Sequence, residues 1–202
     1  MAVEKRPDAL SVAWNLFAGL DPAAYPSYGC SWDEEKGELG ITYLGRCYRV
    51  GKTSGVLDAH GRPAPFNAAT LILQYLIGAS GLPPRGRWLA FLELPEGVLH
   101  HVPFVEQVEK PLARAIAGRA EAFDQAGRLL GGKPLDLADR SFAVEALPRL
   151  PLAVLLWEQD EEFPARATIL FDAVAPSSLP TASLWVLGQE LANGLIEAAD
   201  AG

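Results

Sequence analysis

The stretch from residue 151 to residue 173 constrains the fold more than any other part of the sequence. It holds an apolar run at 152–157, an acidic segment at 158–162 and a second β-rich run at 168–171, which ends at Asp172. Short apolar runs bounded by prolines and acids are typical of core strands. Because only ten residues, 158–167, join the two runs, we predict an antiparallel hairpin, with a split pair in a mixed sheet as the alternative.

The rest of the chain mixes clustered strands with helices. Helical spacing and capping residues predict helices over 8–19, 65–78, 108–116, 123–130 and from 181 to about 195. Alternating or short apolar runs predict strands over 39–50, 56–58, 88–91, 135–137 and 142–144. Clustered strands favour an α+β fold over a doubly wound parallel sheet. No repeat or linker divides the chain, so we predict a single α+β domain over 1–202, with a mostly antiparallel sheet packed with helices.

Charge and hydropathy exclude several classes of partner. The formal net charge is −8, and the arginines are scattered rather than gathered into a basic stripe, so we expect no nucleic-acid partner. No apolar run reaches the roughly 18–20 residues that span a bilayer, and the N-terminus has no signal core, so we expect a cytoplasmic protein without a membrane partner. Cys30 and Cys47 form no metal or redox spacing and are expected to be packing residues.

The acidic segment is the densest group of charged side chains in the sequence. Glu158, Asp160, Glu161 and Glu162 place four carboxylates within five residues. Oxygen ligands suit magnesium or calcium, although the spacing is not that of an EF-hand loop. The alternative, which we favour, is a solvated hairpin tip whose charges discourage edge-to-edge association.

Other motifs fall short of a recognisable site. Gly51-Lys52-Thr53 follows Gly45 at the wrong spacing for a phosphate-binding loop, and a strand fills the gap. The adjacent histidines His100 and His101 diverge on any regular backbone, so they do not form a metal site by themselves. No GxSxG or GxGxxG motif is present. The sequence therefore identifies neither a catalytic residue nor a cofactor.

Four segments carry a family resemblance. Residues 76–81, 87–97, 156–164 and 170–173 read LIGASG, RWLAFLELPEG, LWEQDEEFP and LFDA, in that order. As a set they resemble the bacterial and archaeal domain-of-unknown-function family 3786. The resemblance extends from about residue 39 to the C-terminal helix. It implies occurrence in anaerobes, where some members are fused to a cysteine-rich iron–sulfur segment, and it carries over no reaction.

We therefore hypothesise a cytoplasmic accessory or ligand-binding protein of anaerobic metabolism. The expected ligand is a small molecule. The expected binding residues lie near the hairpin and the 87–93 turn; they are Arg87, Trp88, Glu93, Trp157 and Asp172. Asp172, at the end of an apolar strand, is expected to need a partner such as Arg87 or Arg166.

Two alternatives stay open, namely a metal-dependent enzyme that uses the acidic loop 158–162 and a protein-interaction module that binds a partner protein or forms a homodimer. An intact metal site favours the enzyme. A pocket walled by Trp88, Trp157 and tyrosines favours ligand binding. An exposed apolar patch favours interaction.

Overall fold

The structure is a computed structural model that describes residues 8–21, 25 and 28–201. The helices are α1 (Ala9–Ala18), α2 (Phe66–Gly78), α3 (Gly97–Phe104), α4 (Lys110–Ile116), α5 (Ala120–Leu129) and α6 (Thr181–Ala201). The strands are β1 (Ser31–Asp33), β2 (Glu38–Tyr43), β3 (Arg46–Gly51), β4 (Gly55–Asp58), β5 (Trp88–Ala90), β6 (Lys133–Pro134), β7 (Arg140–Leu147), β8 (Leu150–Trp157) and β9 (Arg166–Asp172). The predicted α+β class is confirmed.

The first sheet is an antiparallel meander in the order β1-β2-β3-β4. The β2–β3 reversal lies at Leu44 and Gly45, whose φ angles are 47° and 74°. Two successive positive φ angles are the geometry of a two-residue hairpin turn that matches the strand twist. Strands β3 and β4 also pair antiparallel, so Lys52 and Thr53 lie in a hairpin turn, as their sequence context indicated.

The second sheet has the order β5-β9-β8-β7-β6, with every neighbouring pair antiparallel. The predicted hairpin over 151–173 is confirmed as β8 and β9 at the centre of this sheet. Residues 152–156 of β8 are all buried, which explains why the sequence there is continuously apolar rather than alternating.

One hydrophobic core joins the two sheets and the helices. The backbone N–H of Leu44 in the first sheet donates to the carbonyl of Ala146 in the second at 2.9 Å. Helix α6, which the sequence predicts from residue 181 to about 195, packs a stripe of leucines inward; Leu184, Leu187, Leu191 and Leu195 are each 0 % exposed. Over the described part of the chain, no helix combines the length and the apolar character needed to cross a membrane.

Two local predictions differ from the structure. The short strand expected at 135–137 lies at Lys133–Pro134 instead, because the β7 partner register extends only to those residues. Helix α3 was not predicted, since Pro103 lies inside it and its first turn follows a proline–glycine turn sequence. A π-helical turn at Val105–Glu109 then joins α3 to α4 in one continuous helical run.

Candidate functional site

The predicted ligand-binding residues divide between the two ends of β9. Trp88 of β5 lies opposite Asp172, whereas Trp157 of β8 lies opposite Arg166. Six residues of extended strand separate these points, which is about 20 Å at 3.3 Å per residue. The Arg166 guanidinium stacks on the Trp157 ring, 4.4 Å from its centroid. The structure therefore brings Trp88 and Asp172 together and holds Trp157 apart from them.

Asp172 is fully buried, and both of its carboxylate oxygens accept hydrogen bonds from backbone amides. It accepts hydrogen bonds from the N–H groups of Arg85 at 2.9 Å, Gly86 at 2.7 Å and Val174 at 2.8 Å. The predicted need for a partner is met, but backbone donors meet it in place of the expected Arg87 or Arg166 side chain. The interaction fixes the 85–87 loop against the end of β9, which is a structural role.

The two remaining predicted residues, Arg87 and Glu93, are both exposed. The Arg87 carbonyl accepts a hydrogen bond from the N–H of Ala173 at 2.8 Å and extends the β5–β9 pairing. Glu93 accepts from the N–H of Ala90 at 2.7 Å and closes the 3₁₀ turn Phe91–Glu93. A ligand-binding role for the five residues stays a prediction.

Two of the four acidic side chains in loop 158–162 make local contacts. Asp160 accepts hydrogen bonds from the N–H groups of Glu162 at 2.8 Å and Phe163 at 2.7 Å, an Asx-type turn. Glu158 pairs with Arg140 at 3.2 Å. Among the residues that the structure describes, no group of three His, Cys, Asp or Glu side chains is placed to hold a metal ion.

Helix α3 is seated on the protein by its two ends. At its start, Gly97 approaches the Phe91 backbone so closely that a Cβ would lie 2.0 Å from the Phe91 carbonyl oxygen. At its end, Phe104 is 0 % exposed and stacks on Phe91, within an aromatic cluster that also contains Phe171 and Trp185. This packing leaves the helix little freedom to rotate or to collapse onto the core.

The opposite face of α3 exposes apolar side chains. Val98 is 69 % exposed, Leu99 is 75 % exposed and Val102 is 67 % exposed; Leu92, on the adjoining 3₁₀ turn, is 43 % exposed. Val102 is four residues from Val98 and three residues from Leu99, so its side chain adjoins both of them on the helix surface. We call these four residues the α3 surface. It places three of the most exposed large apolar side chains of the described residues on one short helix, although other elements also expose single apolar side chains such as Leu129 and Phe163.

The rim of the α3 surface is acidic at one end. Glu93 and Glu96 are exposed beside Leu92 and the start of α3. Glu96 adopts a left-handed conformation with φ 60°, which is uncommon for a residue other than glycine. At the far end Glu106 forms an ion pair with Lys110.

A buried carboxylate lies in the π turn that follows α3. Glu109 is 9 % exposed, and its Oε1 accepts a hydrogen bond from the N–H of Ile169 at 3.0 Å. Strand β5 pairs with β9 only at residues 170–172, so Glu109 caps the β9 edge where β5 ends. Burial raises the pKa of Glu109, while its hydrogen bond from Ile169 and the charge of Arg166 oppose that rise.

A groove of about 450 Å³ lies elsewhere, between α1, β4 and α2. Its walls include Trp14, Val56, Ala69 and Leu73, and Ser11 and Asn15 add polar groups. This volume falls within the range of small-molecule sites. None of the five predicted ligand-binding residues lines it.

Comparison with known proteins places the chain in a family. The model for the domain of unknown function DUF3786 matches residues 22–194 of the 202. The chain belongs to the DUF3786 family. No curated protein and no solved structure gives a significant match.

The DUF3786 match includes the α3 surface but not the whole groove beside Trp14. The α3 surface, the π turn and the aromatic cluster lie inside the matched residues, whereas helix α1, one wall of the groove, lies before them. The features around α3 therefore belong to the DUF3786 domain itself.

Sequence reasoning missed the α3 surface and Glu109. The i, i+1, i+4 spacing of 98, 99 and 102 was a usable signal for a helix, although spacing alone does not tell an exposed apolar face from a buried one. Nothing in the sequence distinguished Glu109 from the other glutamates, because its burial depends on the position of β9, some 60 residues further along the chain.

Proposed function

We propose that this DUF3786 protein is a non-catalytic accessory protein that binds a partner protein through the α3 surface. The observation that carries the proposal is the rigidly seated helix with Val98, Leu99 and Val102 at least two-thirds exposed. An apolar patch on a helix whose backbone is already fixed loses little backbone entropy when it binds, which favours recognition.

The size of the surface supports a peptide-like occupant. The largest apolar patch on a typical monomer is about 300–600 Å² and often functional, and four exposed side chains give a patch of roughly that size. A stable interface needs about 800 Å² from each partner. A short apolar segment of another protein fits the smaller area better than a second copy of this chain does.

Charge supports the same occupant and specifies its chemistry. Glu93 and Glu96 make the rim beside α3 acidic, and the whole chain carries a net charge of −8. A partner segment with apolar anchors flanked by lysine or arginine complements this rim. A second copy would bring an equal negative charge and be repelled at long range.

The resemblance to DUF3786 proteins of anaerobes extends the proposal to its setting. We place the accessory role in anaerobic metabolism and in the cytoplasm, in support of an enzyme or carrier to which the basic, apolar segment belongs. This setting is independent of the α3 surface, so each can be tested without the other.

Display selection tests the proposed binding directly. A library of short random peptides is selected against the whole chain, with counter-selection against the Leu99→Asp/Val102→Asp variant. We expect enrichment of peptides that carry apolar anchors flanked by Lys or Arg. Selection against Glu93→Lys/Glu96→Lys should shift the flanking residues toward Asp and Glu.

Two outcomes contradict the proposal. Equal enrichment by the wild-type chain and the Leu99→Asp/Val102→Asp variant would show that the α3 surface does not bind. Sedimentation equilibrium that shows a dimer at micromolar concentration, lost in Leu99→Asp, would replace the partner protein with a second copy.

Small-molecule binding is the second candidate, and the groove of about 450 Å³ beside Trp14 supports it. Ligand-observed NMR with a fragment library distinguishes it from the first proposal. Fragments that bind the groove should be lost in Trp14→Ala and retained in Leu99→Asp. The same screen tests the predicted 87–93 site through Trp88→Ala.

A further inference from the structure

The inward face of the helical run changes at the π turn. In α4 and the π turn the buried positions include Val108, Leu112 and Ile116, whereas in α3 they are Phe104 and Gly97. Phe104, Val108, Leu112 and Ile116 follow one another in steps of four residues. Each step of four advances the direction of the side chain by about 40° around a regular α-helix, so Phe104 and Ile116 would lie about 120° apart in a run that was α-helical throughout.

Regular α-helical geometry predicts a different orientation for α3. Counting back from Ile116 in steps of 3.6 residues gives inward positions near 112, 109, 105, 102 and 98. A run that was α-helical throughout would therefore turn Val98, Val102 and Val105 toward the core. Instead Val98 and Val102 are more than two-thirds exposed.

The π turn accounts for this difference. Its i→i+5 pattern takes up one residue more than an α turn, and one residue corresponds to about 100° of rotation. The extra residue rotates α3 so that Phe104 points inward and the valines point outward. Glu109, at the end of the turn, hydrogen-bonds the Ile169 N–H at 3.0 Å and ties the turn to the edge of β9.

We propose that the π turn Val105–Glu109, held by Glu109, is the device that presents the α3 surface, and that Glu109 is its positioning residue. The biological use of the turn rests on the proposed function. The orientation of α3 is a property of the unbound protein, so it can be tested whether or not a partner binds.

Thiol labelling tests the rotation with internal controls. Val102→Cys adds a reporter to a chain whose Cys47 is exposed and whose Cys30 is buried. Labelling at each thiol is followed by mass spectrometry. With the native π turn, the thiol at position 102 should label within about threefold of Cys47. Deletion of Gln107, which removes the extra residue, should leave a regular α-helical run with Phe104 still directed inward. The thiol at position 102 should therefore still label within about threefold of Cys47, while Cys30 stays unlabelled.

The outcomes separate folding from rotation. Labelling at position 102 that is at least tenfold slower after the deletion, with Cys30 still protected, would overturn the inference. Labelling of Cys30 would mean that the deletion unfolds the protein, and a second comparison then decides.

That comparison uses Glu109→Ala and Glu109→Gln, since glutamine keeps an oxygen acceptor for the Ile169 N–H. Hydrogen exchange of the amides in 105–109 should be at least tenfold faster in Glu109→Ala than in Glu109→Gln, with the β8 amides unchanged. Equal exchange in the two variants would remove Glu109 from the role.

Discussion

The rings of Phe91 and Phe104 stack with their centroids 4.2 Å apart and their planes 9° apart. Phe91 lies in the 3₁₀ turn after β5, and Phe104 ends α3, so this contact joins the sheet to the helix that carries the α3 surface. The inner face of α3 is thus fixed by aromatic packing, while its outer face is free to meet another molecule.

Because of this stacking, two truncations on α3 should lower the unfolding free energy by different amounts. Phe104→Ala removes a fully buried ring and should lower the unfolding free energy by about 3–5 kcal/mol. For a domain of this size that corresponds to a melting temperature lower by roughly 6–20 °C. Val102→Ala, on the exposed face, should change it by no more than about 2 °C. Thermal denaturation followed by circular dichroism measures both, and similar losses would mean that α3 is not oriented as described.

Asp172 and Asp160 form a matched pair of carboxylates that both accept backbone hydrogen bonds. Asp172 is 0 % exposed, whereas Asp160 lies on the exposed hairpin tip, where water replaces lost contacts. We expect Asp172→Ala to cost more than about 2 kcal/mol and Asp160→Ala less than about 1 kcal/mol. Urea denaturation with a common m-value gives the comparison, and equal costs would contradict the structural role of Asp172.

The buried Glu109 should make the free energy of unfolding depend on pH. Because burial raises its pKa in the folded state, the stability that the protonated form contributes is present below the unfolded pKa and is lost as the pH rises through the folded pKa. Glu109→Gln, which is always neutral, should therefore gain in melting temperature relative to wild type as the pH rises from 4 to 8. Glu161→Gln, which removes one charge from the exposed loop, is the control. A gain that did not depend on pH would show that the pKa of Glu109 is not raised in the folded state.

The acidic loop should behave as a solvated tip. A bound cation stabilises a fold by about 2.7 kcal/mol at a hundredfold excess over its dissociation constant. We expect millimolar magnesium, calcium or manganese to raise the melting temperature of wild type no more than that of Asp160→Asn/Glu161→Gln/Glu162→Gln. A rise of several degrees in wild type that is absent from the triple variant would favour the metal-dependent enzyme instead.

Much of the fold could be predicted from the sequence because local signals agree with tertiary packing. The central hairpin, the Leu44–Gly45 turn and the α6 stripe each carry a periodicity or turn signal that the structure uses directly. Helix α3 was missed because Pro103 and Gly97 oppose a helix locally, and packing around Phe104 overrides them.

The candidate site was less accessible to sequence reasoning for a physical reason. Trp88 and Trp157 are both tryptophans on strands that pair with β9. The pairing register places them opposite points of β9 that are about 20 Å apart, and the sequence does not reveal this register. The exposure of Val98 and Val102 depends on a single π turn, and regular helical counting gives those residues the opposite orientation.

The most direct test of the account is a fluorescence anisotropy titration of one selected peptide. The peptide is taken from the display experiment and carries apolar anchors with basic flanks. It is titrated with wild type, with Leu99→Asp and with Leu129→Asp, a variant of an equally apolar residue that is 64 % exposed on α5. We predict that Leu99→Asp raises the dissociation constant at least tenfold, which is about 1.4 kcal/mol, and that Leu129→Asp leaves it within twofold. Equal affinity for all three proteins, or equal losses in both variants, would contradict binding through the α3 surface.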